Sequence, residues 1–280
     1  MNKQGFIDFN TRLSPENSGK ADSYARAIEI LDNVLQYQSV IDLHGKSLYD
    51  VNSINVIEDV LRLVNDEVTK MKKQQPNIFD YGDPRQKSYP RKHFCSAALK
   101  SLKKYAQSEE DIAAADFIVS HEKDPKTISE KLINHFDLTR EGEYITSTTK
   151  QRRGQEYFRH MILNNYGCRC AVTGINIPQL LLASHIVPWA EESHKKDRLN
   201  PCNGICLSAL YDKAFDKGLI TISPDNYSII LSSAIREYES QDYFDRHFGC
   251  IDGKQITTPI VFKPSLDFLA YHRDHVFMGK

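Results

Sequence analysis

The chain has 280 residues, 40% of them hydrophobic and 26% charged, and a formal net charge of −1; this is the make-up of a globular protein with room for one large domain or two ordinary ones. No apolar run is long enough to span a bilayer, and the near-zero net charge excludes a polyanion binder that works by bulk charge alone. Six cysteines are too few for a disulfide scaffold, and the start MNKQGFIDFN lacks the basic-then-apolar pattern of a secretory signal, so a reducing cytoplasm is the expected location.

The first half reads as helical. SYARAIEILDNVLQY (23–37) carries Tyr24, Ala27, Ile28, Leu31 and Leu35 at helical spacing. NSINVIEDVLRLVNDEVTKMKK (52–73) opens on an Asn/Ser cap and offers Ile54, Ile57, Val60, Leu61, Val64 and Val68 to a core. A Pro- and Gly-containing connector (76–90) follows, then a helix over 94–106 and a short acidic one near 108–118. TISEKLINHF (127–136) has Thr127 and Glu130 in capping-box spacing. Residues 70–105 hold ten Lys/Arg against two Asp, and KQRRGQ (150–155) adds Arg152 and Arg153. Charge sorted in this way either faces phosphates or is a solvated helix surface.

Around 137–150 the pattern loosens into Thr, Ser and Gly, which predicts a linker between a domain at 1–136 and another at 151–280. QEYFRHMILNNYG then reads as a helix closed by Gly167. Short strands follow at LLLASHI, GICLS, LITIS and YSIILSS, the last two flanking the turn PDN (224–226). ALYDKAFDKG, stopped by Gly218, is a short helix between the second and third strands. The expected order is strand, long loop, strand, helix, within an α+β chain.

Three polar residues stand out in that unit. His185 ends the first strand, Asn203 sits where the loop re-enters the second, and Asp212 lies on the helix with Asp216 at i+4 on the same face. A neutral imidazole can take a proton from water near pH 7. Carboxylates on one helix face can hold a hard divalent cation, and an asparagine can donate and accept at once, tying a loop in place. Together these groups suit phosphodiester hydrolysis. Each taken alone is also an ordinary core histidine or surface carboxylate.

RRGQEYFRHMIL, YGCRCAVTG, ASHIVPWAE, RLNPCNGICLS, LYDKAFDKGLITI and FLAYHRDHVF together resemble HNH nucleases of the ββα-metal fold, over residues 151–278. The resemblance implies His185 as general base, Asn203 as its positioning residue, Asp212 as metal ligand with Asp216 assisting, and Mg²⁺ or Mn²⁺ as the ion. Where many relatives carry an Asp or second His before the base, this chain has Ser184, and Tyr211 stands where some carry His. Cys168, Cys170, Cys202 and Cys206 flank the unit, but C-x-C and C-x₃-C differ from the paired C-x₂-C of zinc sites, so buried thiols are favoured over a structural Zn²⁺. Trp189 reads as a loop anchor, with a base-stacking contact as the rival reading. Lys195 and Lys196, at a loop tip, would lie near phosphates in a nuclease, as would Arg152 and Arg153. Gln155 and Arg159 are expected to support the site rather than to react.

The helical first domain is loosely similar to modules found ahead of bacterial nuclease domains, which implies a DNA-binding or targeting role; a protein-docking module and a purely structural bundle are the competing readings. The resulting expectation is a metal-dependent DNA endonuclease of restriction or defence type, a homodimer if both strands are cut, and no membrane partner. The rival is a catalytically inactive HNH-fold DNA-binding protein that has lost its metal with the Ser184 position.

Overall fold

The computed structural model describes residues 1–15, 18–38, 41–51, 53–81, 88–138 and 144–279. Two compact units divide between Ala113 and Ala114.

In the first unit, α1 (Lys3–Arg12), α2 (Lys20–Gln38), α3 (Ile54–Lys72), the single turn α4 (Ser88–Arg91) and the opening of α5 (Phe94–His121) surround one core. Phe6, Ile28, Leu31, Ile57, Val60, Val64, Leu99 and Leu102 are fully buried in it. The helical spacing of 23–37 and 52–73 therefore turns inward as expected. α1 had no forecast; Asn2 starts it by accepting from the Gly5 amide at 2.7 Å. The two helices expected at 94–106 and 108–118 are one continuous helix, because Gln107–Ser108 brings a change of charge but no Gly or Pro to break the ladder. Part of the basic stretch is ion-paired inside this unit: Lys70 with Glu67 at 2.6 Å and Lys103 with Glu58 at 2.5 Å.

The second unit opens with the end of α5 and α6 (Pro125–His135). Its cap is Asp124, not Thr127: the carboxylate accepts from the Thr127 amide at 2.9 Å and hydroxyl at 2.6 Å, with Pro125 at the first helical position. Within the expected linker, residues 139–143 lie outside the described residues, and α7 (Tyr144–Asn165) begins at its far side. Gly167 follows α7 in the left-handed region at φ 57°.

Next come β1 (Leu181–His185) and β2 (Gly204–Ser208), antiparallel, with His185 opposite Gly204 and Leu181 opposite Ser208. α8 (Ala209–Asp216) leaves β2 directly. β3 (Ile220–Ile222) and β4 (Ile229–Leu231) form a second antiparallel pair around the predicted turn. The single turns α9 (Ser233–Arg236) and α10 (Phe244–His247) lead to α11 (Leu266–His275). The unit is thus helix-rich with two small two-stranded sheets among the described residues.

Two glycines fix its packing. A Cβ on Gly204 would stand 2.5 Å from Ile162 Cδ1 and 2.7 Å from Phe158 Cζ, so α7 crosses β2 where only a hydrogen fits. Gly218 closes α8 at φ 65°, with the Val276 carbonyl where a Cβ would sit; the Met278 amide donates to the Gly218 carbonyl at 2.9 Å. The helix after β2 is held from both ends.

Candidate functional site

β1, β2 and α8 bring His185, Ser184, Asp212 and Asp216 to the wall of one cleft of about 470 Å³, completed by Trp189, Lys213, Lys217 and His272. β1 ends in the cleft because Ile186 and Val187 then turn into the core and the loop leaves at Pro188. Arg159 of α7 holds the entry to the strand, donating to the Leu181 carbonyl at 2.5 Å and the Pro178 carbonyl at 3.1 Å. That is the supporting place expected of it; Gln155 is exposed.

The His185 ring stacks on Phe158 at 3.7 Å and meets the edge of Trp189 at 5.4 Å. Its Nε2 lies 3.0 Å from the Arg198 carbonyl oxygen. A carbonyl only accepts, so Nε2 carries the hydrogen and Nδ1 holds the lone pair in the neutral ring. Desolvation pushes the imidazole down to about 4; the Arg198 carbonyl opposes this and the Arg198 guanidinium adds to it. The ring is neutral throughout the physiological range.

The loop between the strands is tied by Asn203, which is 1% exposed. Its Oδ1 accepts from the Val187 amide at 2.8 Å and its Nδ2 donates to the Asp197 carbonyl at 3.1 Å. Arg198 works beside it. Its Nε donates to the Trp189 carbonyl at 2.8 Å, its Nη2 meets Glu192 at 2.8 Å, and the guanidinium lies over the Trp189 ring. Asn203 and Arg198 together hold the carbonyl that fixes the tautomer of His185. Trp189 is half-buried and packed between His185 and Arg198, which suits a loop anchor.

Across the cleft, Ser184 donates to Asp212 Oδ1 at 2.5 Å. Asp216, one turn along, has its carboxyl raised first by desolvation and then by the charge of Asp212, with Lys213 and Lys217 opposing. His272, in the same wall, is 1% exposed and stacks on Phe215 at 3.7 Å. Its Nε2 donates to the Phe215 carbonyl at 3.2 Å and its Nδ1 accepts from Thr221 Oγ1 at 2.9 Å. This braces the last turn of α8.

Arg152, Arg153, Lys195 and Lys196 are all exposed and none lines the cleft. Arg153 lies over the Phe136 ring, and the Lys196 carbonyl accepts from Ser129 at 2.7 Å. The cysteines are free thiols. Among the described residues no three His, Cys, Asp or Glu side chains converge as metal ligands, and no helix is long and apolar enough to cross a membrane.

Residues 170–223 match the HNH endonuclease family. The match begins at Cys170, runs through β1, β2 and α8, and ends after β3. It lies inside the stretch whose motifs resemble HNH nucleases, and it contains every residue of the cleft wall except those of α11 and its end. Among curated proteins none matches the chain. The matched family is one of endonucleases, so the match supports nuclease chemistry at family level.

Sequence reasoning passed over Lys213, Lys217 and His272, and it grouped Arg198 with the solvated loop tip at 194–198, where the structure instead bonds it to Trp189 and Glu192. The lysines stood in the quoted ALYDKAFDKG and carried a usable signal, since they alternate with the two aspartates at i+1. Arg198 and His272 gave none, because their roles come from the loop and from α11 folding back.

Proposed function

We propose that the chain is a metal-dependent DNA endonuclease of restriction or defence type, built on a ββα-metal core formed by β1, β2 and α8. One observation carries the reading: a neutral imidazole with a free Nδ1 lone pair and two carboxylates one helical turn apart line one cleft. His185 is the general base, taking the proton of the attacking water at Nδ1 while Nε2–H stays on the Arg198 carbonyl. Asn203 is the positioning residue that keeps the loop, and so that carbonyl, in place.

The donor set fits a hydrated Mg²⁺ or Mn²⁺. Such ions take one or two carboxylates and keep several waters, and Asp212 and Asp216 are a like-charged pair whose mutual repulsion a cation would relieve. Held there, the ion would stabilise charge developing on the phosphoryl and leaving oxygens. Ser184 orients Asp212 through its hydroxyl. The exposed Arg152, Arg153, Lys195 and Lys196 would supply outlying phosphate contacts, and residues 1–136 a targeting module. The exchange of an ionic ligand for Ser184 favours the alternative of an inactive DNA-binding protein.

Plasmid digestion decides. With Mg²⁺ or Mn²⁺ the protein should nick or cut duplex DNA, and EDTA should stop it. His185→Ala should lose about 10²–10⁴-fold in rate with DNA binding retained. Asp212→Ala should also fail but recover in part at high metal. A His185→Ala protein that cuts like wild type would remove the base assignment, and a wild type that binds DNA but does not cut it, whichever metal is added, would leave the alternative.

A further inference from the structure

Two cations stand in the cleft beside the carboxylates. Lys213 on α8 and Lys217, the residue that caps its C-terminal end, lie one turn apart, each following one of Asp212 and Asp216, and all four side chains line the same wall. Residues so spaced share a helix face, about 5–6 Å apart at Cβ. Both lysines are exposed. They take no part in the ion pairs found among the described residues, whereas Lys3, Lys70, Lys103, Lys131 and Lys150 are each paired with a carboxylate.

A cleft wall with two carboxylates alone would repel the polyanion it is meant to cut. Two lysines on the same turns cancel that charge, and a divalent cation would leave a net positive wall. The basic residues singled out from sequence are elsewhere: Arg152 and Arg153 on α7, Lys195 and Lys196 on the loop. We propose that Lys213 and Lys217 form the phosphate-holding subsite of the cleft, seating the strand's phosphates next to the bond that is cut. This rests on the nuclease reading, and it sets affinity and register rather than base choice.

The test is binding of a labelled DNA duplex by the full chain in EDTA, read by anisotropy across a salt series. Each lost phosphate contact lowers the slope of log affinity against log salt by about 0.9. Lys213→Gln/Lys217→Gln should therefore have a slope smaller by about 1.8, and Lys213→Arg/Lys217→Arg should keep the wild-type slope. In the cutting assay the Gln pair should raise KM more than it lowers kcat. A Gln pair with the wild-type slope overturns this subsite and leaves the nuclease reading standing. A wild type whose DNA binding depends on these lysines but which never cuts keeps the subsite and overturns the nuclease reading. A wild type that binds no duplex in EDTA overturns the subsite, and one that also cuts none with Mg²⁺ or Mn²⁺ overturns both.

Discussion

The imidazole of His185 is a weak base in the free protein because Phe158 covers one of its faces and its wall is poorly solvated. A phosphate anion entering the cleft would favour the protonated ring and raise its pKa. The acid limb of kcat/KM reports the free enzyme and that of kcat the substrate complex. The first is therefore expected near 4, and the second higher. A kcat/KM limb near the ordinary 6.5, or a kcat limb lower than the kcat/KM limb, would contradict the desolvated, neutral ring. At this scale the sequence spoke through contrast: a histidine ending an apolar strand and an asparagine re-entering the next one are visible in a string of letters. The partners that set their chemistry are not. The Arg198 carbonyl is a backbone atom 13 residues from His185, and only the closed loop brings it near.

Helix α7 and strand β2 meet at Gly204, so the element scale is governed by one missing side chain. Gly204 is extended, at φ −138°, so alanine is tolerated by the backbone there. The obstacle is Ile162 and Phe158, whose atoms stand 2.5–2.7 Å from a built Cβ. Overpacking of this kind costs about 1–3 kcal/mol. Because Phe158 also stacks on His185, Gly204→Ala should lower cutting beyond what its melting temperature accounts for. Ile162→Val, by removing Cδ1, should return part of the stability in the double variant. Additive losses in the double variant would show that the two residues do not clash.

Element by element, strands β1 and β2 and the ends of α8 were legible, since short apolar runs bounded by Pro, Asn and Gly leave few alternatives. Two local rules misled. A change from basic to acidic text looked like a boundary in α5, yet charge does not interrupt backbone hydrogen bonds. Thr127 with Glu130 matched a capping box, yet Asp124 followed by Pro125 supplies a cap three residues earlier that binds both the amide and the hydroxyl of Thr127.

Across the molecule, charge is sorted but locally balanced, and acid stability falls to two desolvated histidines, His185 and His272. His185 and His272 both sit at about 4 in the folded protein, each lowered mainly by desolvation, against an ordinary 6.5 when unfolded. As pH falls below 6.5 the unfolded chain takes up protons that the folded one refuses, so stability present above 6.5 is lost on the way down to about 4. For His272, which is 1% exposed, a depression from 6.5 to about 4 corresponds to about 3 kcal/mol; the half-buried His185 contributes less. Trp189 is the only tryptophan and lies in the second unit, so its fluorescence follows the unfolding of that unit alone. Urea melts read by this signal should show stability falling steeply from pH 7 to pH 5. His272→Gln keeps a donor for the Phe215 carbonyl and an acceptor for Thr221 without a titrating ring, so its melts should depend on pH distinctly less. Equal slopes for the two proteins would mean that His272 titrates normally in the fold, and that α11 does not seal the back of the cleft.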